Sequence, residues 1–461
     1  MARARIDTQN SLRSRRWDVL VLGSALPGMV VAIRLAMAGH RVLIAEEDAT
    51  ARTPLLLREP FTVPGVLGGG LADATLRALG IPLIERRRFA PSEVAYQVLL
   101  PEARLDVGDR DLTARELVAW GLTKPEDARA LTHELERNAI ALGQGLLEAP
   151  FVKRGARLPS FSREAPTSAG LPIGVSAADG ELADYFSLQI RGLSELPGSD
   201  PGPEAATRLL GASLAGGIGH SIRETGLLGA LRERLESLHA EFRTIGCPFE
   251  FVELGQHPGI LRAGPGDVWL GRALVINTVD GALTRALQGW GKPVPRFLGG
   301  EPPAFRRCAV HFRALREVVP EPLAPRALLP APEGSPFVSP IRLSVHPSPR
   351  GNRFAELVAA ATIPADADPT PAAEALEAEV RALMPFSEKR LKAGPMAPTP
   401  GWDDPMLQPA HPSGWPSTVN IRTRSRETVF TLPREEVASL GLEGELLLGW
   451  RAGDAIREEL G

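Results

Sequence analysis

Cysteine is nearly absent from this chain: its 461 residues include only Cys247 and Cys308, in no C-x-x-C pair. That excludes a disulfide framework and a dithiol redox centre, and it suits a reducing cytoplasm. An excess of charge of one sign is lacking too. Basic and acidic side chains number 52 and 55, a net of -3, so no general affinity for nucleic acid is expected. Lysine is scarce, five against 47 arginines, which reads as coding bias rather than as an arginine-based site. No apolar run approaches the roughly 18 residues of a membrane span. The eight histidines, at 40, 133, 220, 239, 257, 311, 346 and 411, are nowhere spaced as a metal pair, so no metal site is expected. Neither a G-x-S-x-G elbow nor a P-loop lysine motif occurs, which removes serine hydrolases and nucleoside triphosphatases. Residues 1–16 carry five arginines, but no apolar segment of signal-peptide form follows them. This leader reads as a basic tail, with an electrostatic contact to a membrane surface as the alternative.

What is present is a hydrophobic content of 44%, enough for real cores in about two to three domains. Residues 18–22 read as a buried parallel strand, 27–38 as a helix and 41–45 as a second strand, which makes one βαβ unit. Its turn runs Gly23-Ser24-Ala25-Leu26-Pro27-Gly28, a G-x-G-x-x-G with alanine at the second glycine. Gly23 allows the tight turn out of the strand, and Gly28 allows close packing of the helix. The helix N-terminus offers amides and a positive dipole end to a pyrophosphate. Pro27 fits there because first-turn amides have no intrahelical partner. Glu46, with Glu47 after it, ends the second strand 23 residues after Gly23, where an acid accepts hydrogen bonds from a ribose and repels a 2′-phosphate. The methyl of Ala25 stands where backbone and phosphate come closest. The lone alternative at this level is a βαβ unit without a ligand.

Further along, helices are expected at 71–79, 111–120 and 126–147, and loops with one helix near 181–190 between 150 and 203. Another helix carries the stripe Leu227, Leu231, Leu235 and Leu238. Strands are expected at 249–254, 273–276, 308–312, 341–346 and 354–362, the last three as an antiparallel sheet. A helix at 372–384, a strand at 428–432 and a terminal helix at 443–459 complete the reading.

The segment from Trp17 to Glu46 resembles the amino terminus of FAD-dependent oxidoreductases of the phytoene desaturase and amine oxidase type. The glycines 216 and 217, the helix and strand behind them, the strand 273–277, the helix 372–384 and Leu440-Gly441-Leu442-Glu443-Gly444 are similar to later blocks of that family. Two departures stand out: Arg52-Thr53-Pro54-Leu55 replaces the family's paired glycines and arginine, and the closing segment lacks its glycine-rich run.

The resemblance implies an α/β fold, with a Rossmann-like FAD-binding domain built on a parallel sheet with helices and a discontinuous α+β substrate domain with an antiparallel sheet. Residues 17–85, 205–285 and 415–461 would form the first, and 86–204 and 286–414 the second. It implies FAD as cofactor, held by Gly23, Ser24, Ala25, Leu26, Pro27, Gly28, Glu46 and Glu47. The strand backbone near Val252 would meet the adenine, and Gly441, Leu442 and Glu443 would sit at a helix N-terminus facing the flavin. The activity implied is hydride transfer from a small apolar or amine substrate, with no catalytic side chain named because the flavin carries the chemistry. The alternatives are a flavin-free lipid- or prenyl-binding protein, or a non-catalytic flavoprotein, on the same scaffold.

Overall fold

The computed structural model describes residues 14–89, 91–149, 151–153, 172–196, 201–215, 217–219, 226–299, 303–385, 387, 390–394, 401–403, 415, 418–423 and 426–461. The leader up to residue 13, Gly216, His220 and His411 lie outside the described residues.

Five parallel strands form the first sheet, in the order Val429–Thr431, Ala273–Ile276, Val19–Leu22, Val42–Glu46, Glu241–Thr244. Its three inner strands are buried along their whole length, as continuous apolar runs in a sheet covered on both sides must be. Alternate residues face opposite layers. Val19, Val21, Val42, Ile44, Ala273 and Val275 join a cluster with the helices Leu26–Met37, Gly226–Ser237 and Leu442–Leu460. Leu20, Leu22, Leu43, Ala45, Leu274 and Ile276 join a second cluster with Phe249 and Trp269. Those two aromatics belong to a four-stranded sheet of order Ser14–Arg16, Val268–Leu270, His257–Arg262, Phe249–Leu254. Residues 14–16, expected within the basic tail, are thus an edge strand. Their apolar neighbour Trp17 anchors them, edge-on to Trp269.

The closing helix Leu442–Leu460 lies directly on the first helix. A Cβ at Gly449 would stand 2.7 Å from Pro27 O and Val30 Cβ, and one at Gly453 2.8 Å from Arg34 Cβ. Two glycines four residues apart therefore let the two backbones meet on one face.

A seven-stranded sheet forms the second layer system, in the order Leu391–Ala393, Phe305–Leu315, Phe354–Pro364, Ile341–Pro347, Arg326–Leu329, Val94–Leu99, Arg104–Gly108. The expected antiparallel core of 308–312, 341–346 and 354–362 is present and longer at its ends. The pairing of Arg326–Leu329 with Val94–Leu99 is parallel, so the sheet is mixed. The strands at 94–108, absent from the sequence reading, extend this sheet from a distant part of the chain. Helix Pro369–Leu383 packs on one side through Ala372, Leu376 and Val380. Pro125–Glu148, Gly180–Leu193 and Pro203–Leu214 gather elsewhere around Tyr96, Leu105 and Leu328. No helix among the described residues is long and apolar enough to cross a membrane.

Candidate functional site

The turn after the first strand is built as its glycines require. Gly23 has φ of +100°, and a side chain there would meet Thr278, Asn277 O and an Asp403 oxygen within 3.0 Å. The first helix has no side-chain cap at Ala25. Its cap comes from the end of the neighbouring strand instead: Gly28 N donates to Asn277 Oδ1 at 3.0 Å, while Asn277 Nδ2 donates to Gly23 O at 3.2 Å and Ala25 O at 2.9 Å. Gly28 is small because Asn277 lies against it, with an added Cβ only 2.1 Å from Nδ2. Pro27 occupies the first turn, and Leu26 and Ala25 are buried beside it.

Asp403 is the anion at this helix start. Ser24 N and Ser24 Oγ donate to its carboxylate at 3.0 and 3.2 Å, and Glu47 N at 3.4 Å. Arg58 reaches the same loop, donating to Ser24 O at 2.9 Å and Ser24 Oγ at 2.8 Å. Arg58 lies at the end of the short helix Leu55–Arg58. It brings a guanidinium to the loop although the family's arginine is missing after Glu46. The next residue back, Trp402, is 2% exposed and packs edge-on against Phe249 with ring centroids 5.5 Å apart. The Glu47 carboxylate accepts the amides of Gly401, Trp402 and Asp403 at 2.7, 3.2 and 3.3 Å, and Thr50 Oγ1 donates to Asp403 O at 2.6 Å.

Glu46 is buried at the end of its strand, where Arg232 Nη1 of the helix Gly226–Ser237 stands 3.3 Å from its carboxylate. The Arg232 guanidinium also lies over the Phe242 ring. Val252 is half-buried in the strand Phe249–Leu254, opposite Gly259. Gly441 starts the closing helix at φ +54°, with no room for a Cβ beside Leu193 O. Leu442 and Glu443 follow it and line a cleft together with Ser24, Ala25 and Leu26. The structure thus gathers two of the expected groups, the turn at 23–28 and the start of the closing helix, around one cavity. Val252 is not among its lining residues.

The cleft has a void of about 880 Å³ including its open mouth. Its apolar wall includes Phe61, Leu209, Ile218, Leu228 and Leu440. Five arginines (58, 208, 307, 342 and 434) and three glutamates (195, 443 and 445) line it, and the buried Asp403 and Glu59 feel the charges of Arg58 and Arg307. Each lining glutamate is held by one arginine: Glu443 by Arg208, Glu445 by Arg434 and Glu195 by Arg342. Burial raises the Glu445 carboxyl against the pull of Arg434.

No family model matches the chain, and no curated protein matches it. Among solved structures it is similar to a putrescine oxidase redesigned in its cofactor binding, with TM-score 0.53, 14% identity, and 96% of this chain and 99% of that one covered. Cyclohexylamine oxidase from Brevibacterium oxydans matches with TM-score 0.52 at 14% identity, over 96% and 99% of the two chains. An oxidoreductase from Methanosarcina mazei matches with TM-score 0.55 at 14% identity, over 95% and 100%. The chain shares the fold of these oxidases.

FAD, which the sequence resemblance implies, asks this fold for an anion site at the turn, an apolar slot by the strand 249–254 and a cleft for the flavin. Ser24 N, Ser24 Oγ and Arg58 have the chemistry of a diphosphate site, and the cleft adjoins them. In this conformation Asp403 takes the anion donors and Trp402 lies against Phe249, so the adenosine diphosphate half fits only once residues 401–403 have moved. Among the described residues no group of histidine, cysteine and carboxylate side chains could hold a metal ion.

Burial raises Asp403 from its ordinary 3.8 to about 7, with Glu46 adding to the rise and Arg58 and the amides of Ser24 and Glu47 opposing it. A carboxyl raised in the folded state stabilises the fold below its ordinary value and loses that contribution as pH rises through the folded one. The stability of the native protein relative to Asp403→Asn is therefore expected to fall between about pH 4 and pH 8, by at most about 4 kcal/mol. Thermal unfolding of both proteins across that range measures it, and a pH-independent difference would refute the assignment.

Proposed function

We propose that this protein is an FAD-dependent oxidoreductase whose substrate is apolar. The observation behind the reading is the cleft: an apolar wall continuous with a phosphate-type donor set. The flavin, when bound, would accept the hydride. The chain's own residues bind and orient. Ser24 and Arg58 would hold the diphosphate, and the apolar wall excludes water from the reacting carbon. That wall favours the apolar arm of the expectation.

One observation favours a second reading, a flavin-free binding protein that uses the same cleft. Asp403 already takes the anion donors of the turn, and Trp402 packs beside it against Phe249. A single measurement separates the two. On the first reading, denaturing the purified protein, or protein incubated with excess FAD, releases about one FAD per chain. Anaerobic mixing with long-chain apolar donors then bleaches the flavin faster than mixing with short polyamines. Protein that neither contains nor takes up flavin establishes the second reading, and faster bleaching by the polyamines removes the apolar substrate.

A further inference from the structure

We propose that Gly401-Trp402-Asp403 is a self-ligand of the dinucleotide site, an intrachain stand-in for adenosine diphosphate that a nucleotide must displace to bind. The inference rests on reading the turn at residues 23–28 as a nucleotide site, and it needs no flavin chemistry.

The three residues match the parts of the nucleotide in order. Asp403 places a carboxylate on the amide and hydroxyl of Ser24, at the start of the first helix, beside the Arg58 guanidinium. Those are the donors that a phosphate oxygen would take. Trp402 places a flat bicyclic ring against Phe249, three residues before Val252 and on the core-facing side of the strand where the adenine is expected, and is almost wholly buried there. Between these positions the polar contacts are made by the backbone. Glu47, one of the two acids expected near the ribose, accepts three consecutive amides. Gly401 admits this approach, since a Cβ there would stand 2.8 Å from Glu47 Oε1. The other acid, Glu46, is held by Arg232. The segment is separated from Ser24 by 379 positions, so it is brought in by the tertiary fold and not by local sequence.

Two occupants cannot share these donors, so the apparent nucleotide affinity scales with the fraction of molecules in which the segment is out. Adenosine diphosphate is the probe, because it tests the subsite without the flavin. It is titrated calorimetrically into the full chain freed of any nucleotide it carries. Asp403→Ser combined with Trp402→Ala should bind it at least about tenfold more tightly than the native chain. Thr50→Val leaves the buried indole in place and removes only the hydroxyl that donates to Asp403 O at 2.6 Å. It should shift affinity in the same direction and serves where the double variant fails to fold. In the native chain, saturating adenosine diphosphate should speed hydrogen exchange at the amides of residues 401–403. Unchanged or weaker affinity in a folded variant would overturn the proposal, as would nucleotide binding with those amides still protected. If affinity rises in the variants while no protein takes up FAD, the self-ligand stands and the flavoenzyme reading fails. If FAD is bound by all of them equally, the reverse holds.

Discussion

Arg208→Ala is expected to lower the unfolding free energy by about 3–5 kcal/mol, the usual cost of stranding one member of a buried ion pair. Arg208 is 7% exposed, and its guanidinium ties three helices together. Nε donates to Glu443 Oε2 at 2.7 Å and Nη2 to Glu443 Oε1, while Nη1 donates to Ala139 O at 2.9 Å. Gly143 leaves the space for it, since a Cβ there would lie 3.0 Å from Arg208 Cζ. Without the arginine, the Glu443 carboxylate stays buried in the first turn of the closing helix, where the helix dipole offsets only part of its desolvation. Removing both charges, as Arg208→Met with Glu443→Leu, should recover most of the loss. Urea unfolding of the single and double variants checks this. Equal losses would mean that packing at residue 208, and not the pair, holds these helices.

Gly28→Ala should cost about 3 kcal/mol or more, an unusual penalty for one methyl. Its Cβ would fall 2.1 Å from Asn277 Nδ2 and 2.4 Å from Cγ, inside any possible contact. Overpacking of this kind costs about 1–3 kcal/mol, and a displaced Asn277 adds the penalty of leaving buried groups unpaired. Asn277 is fully buried and serves Gly23 O, Ala25 O and Gly28 N at once. Gly145→Ala is the control. Gly145 lies in the helix Pro125–Glu148 with nothing within 4 Å of an added Cβ, so there alanine should stabilise by up to about 1 kcal/mol. Comparable melting temperatures for the two variants would refute the role given to Asn277.

The first βαβ unit was legible because all of its information is local. The apolar run, the glycine with positive φ, the proline at the helix start and the acid at the second strand end fall within 28 residues of Val19, and the structure has Val19–Leu22, Leu26–Met37 and Val42–Glu46 there. The antiparallel core of the second sheet was legible for the same reason. Its partners were not. Alternation tells which face of a strand is buried, but nothing in the run at 94–99 names Arg326–Leu329 as its neighbour.

At the site, the polar residue ending an apolar strand, Asn277, was a signal in plain view: the register that sets Ile276 beside Leu22 puts it level with Gly23. Arg58 was hidden by the prolines and leucines around it, and the family's absent arginine drew attention to positions 52–55 instead. Trp402 and Asp403 gave no local sign at all. They sit in a proline-broken passage without periodicity, and their partners, Phe249, Ser24 and Glu47, are 153 or more positions away. A helix start calls for an anion, but local sequence does not say whether that anion belongs to a ligand or to the chain.

The seam of Gly449 and Gly453 against Pro27, Val30 and Arg34 also constrains how the protein is made. At ribosomal rates of about 5–20 residues per second, the first helix emerges roughly 20–80 s before the helix that covers it. During that interval one flank of the turn at 23–28 is bare, and the apolar side of the first helix has only the partners already synthesised. The turn at 23–28 is therefore finished only after residue 442 has been made, and nascent chains halted before it should engage chaperones that chains carrying the closing helix do not.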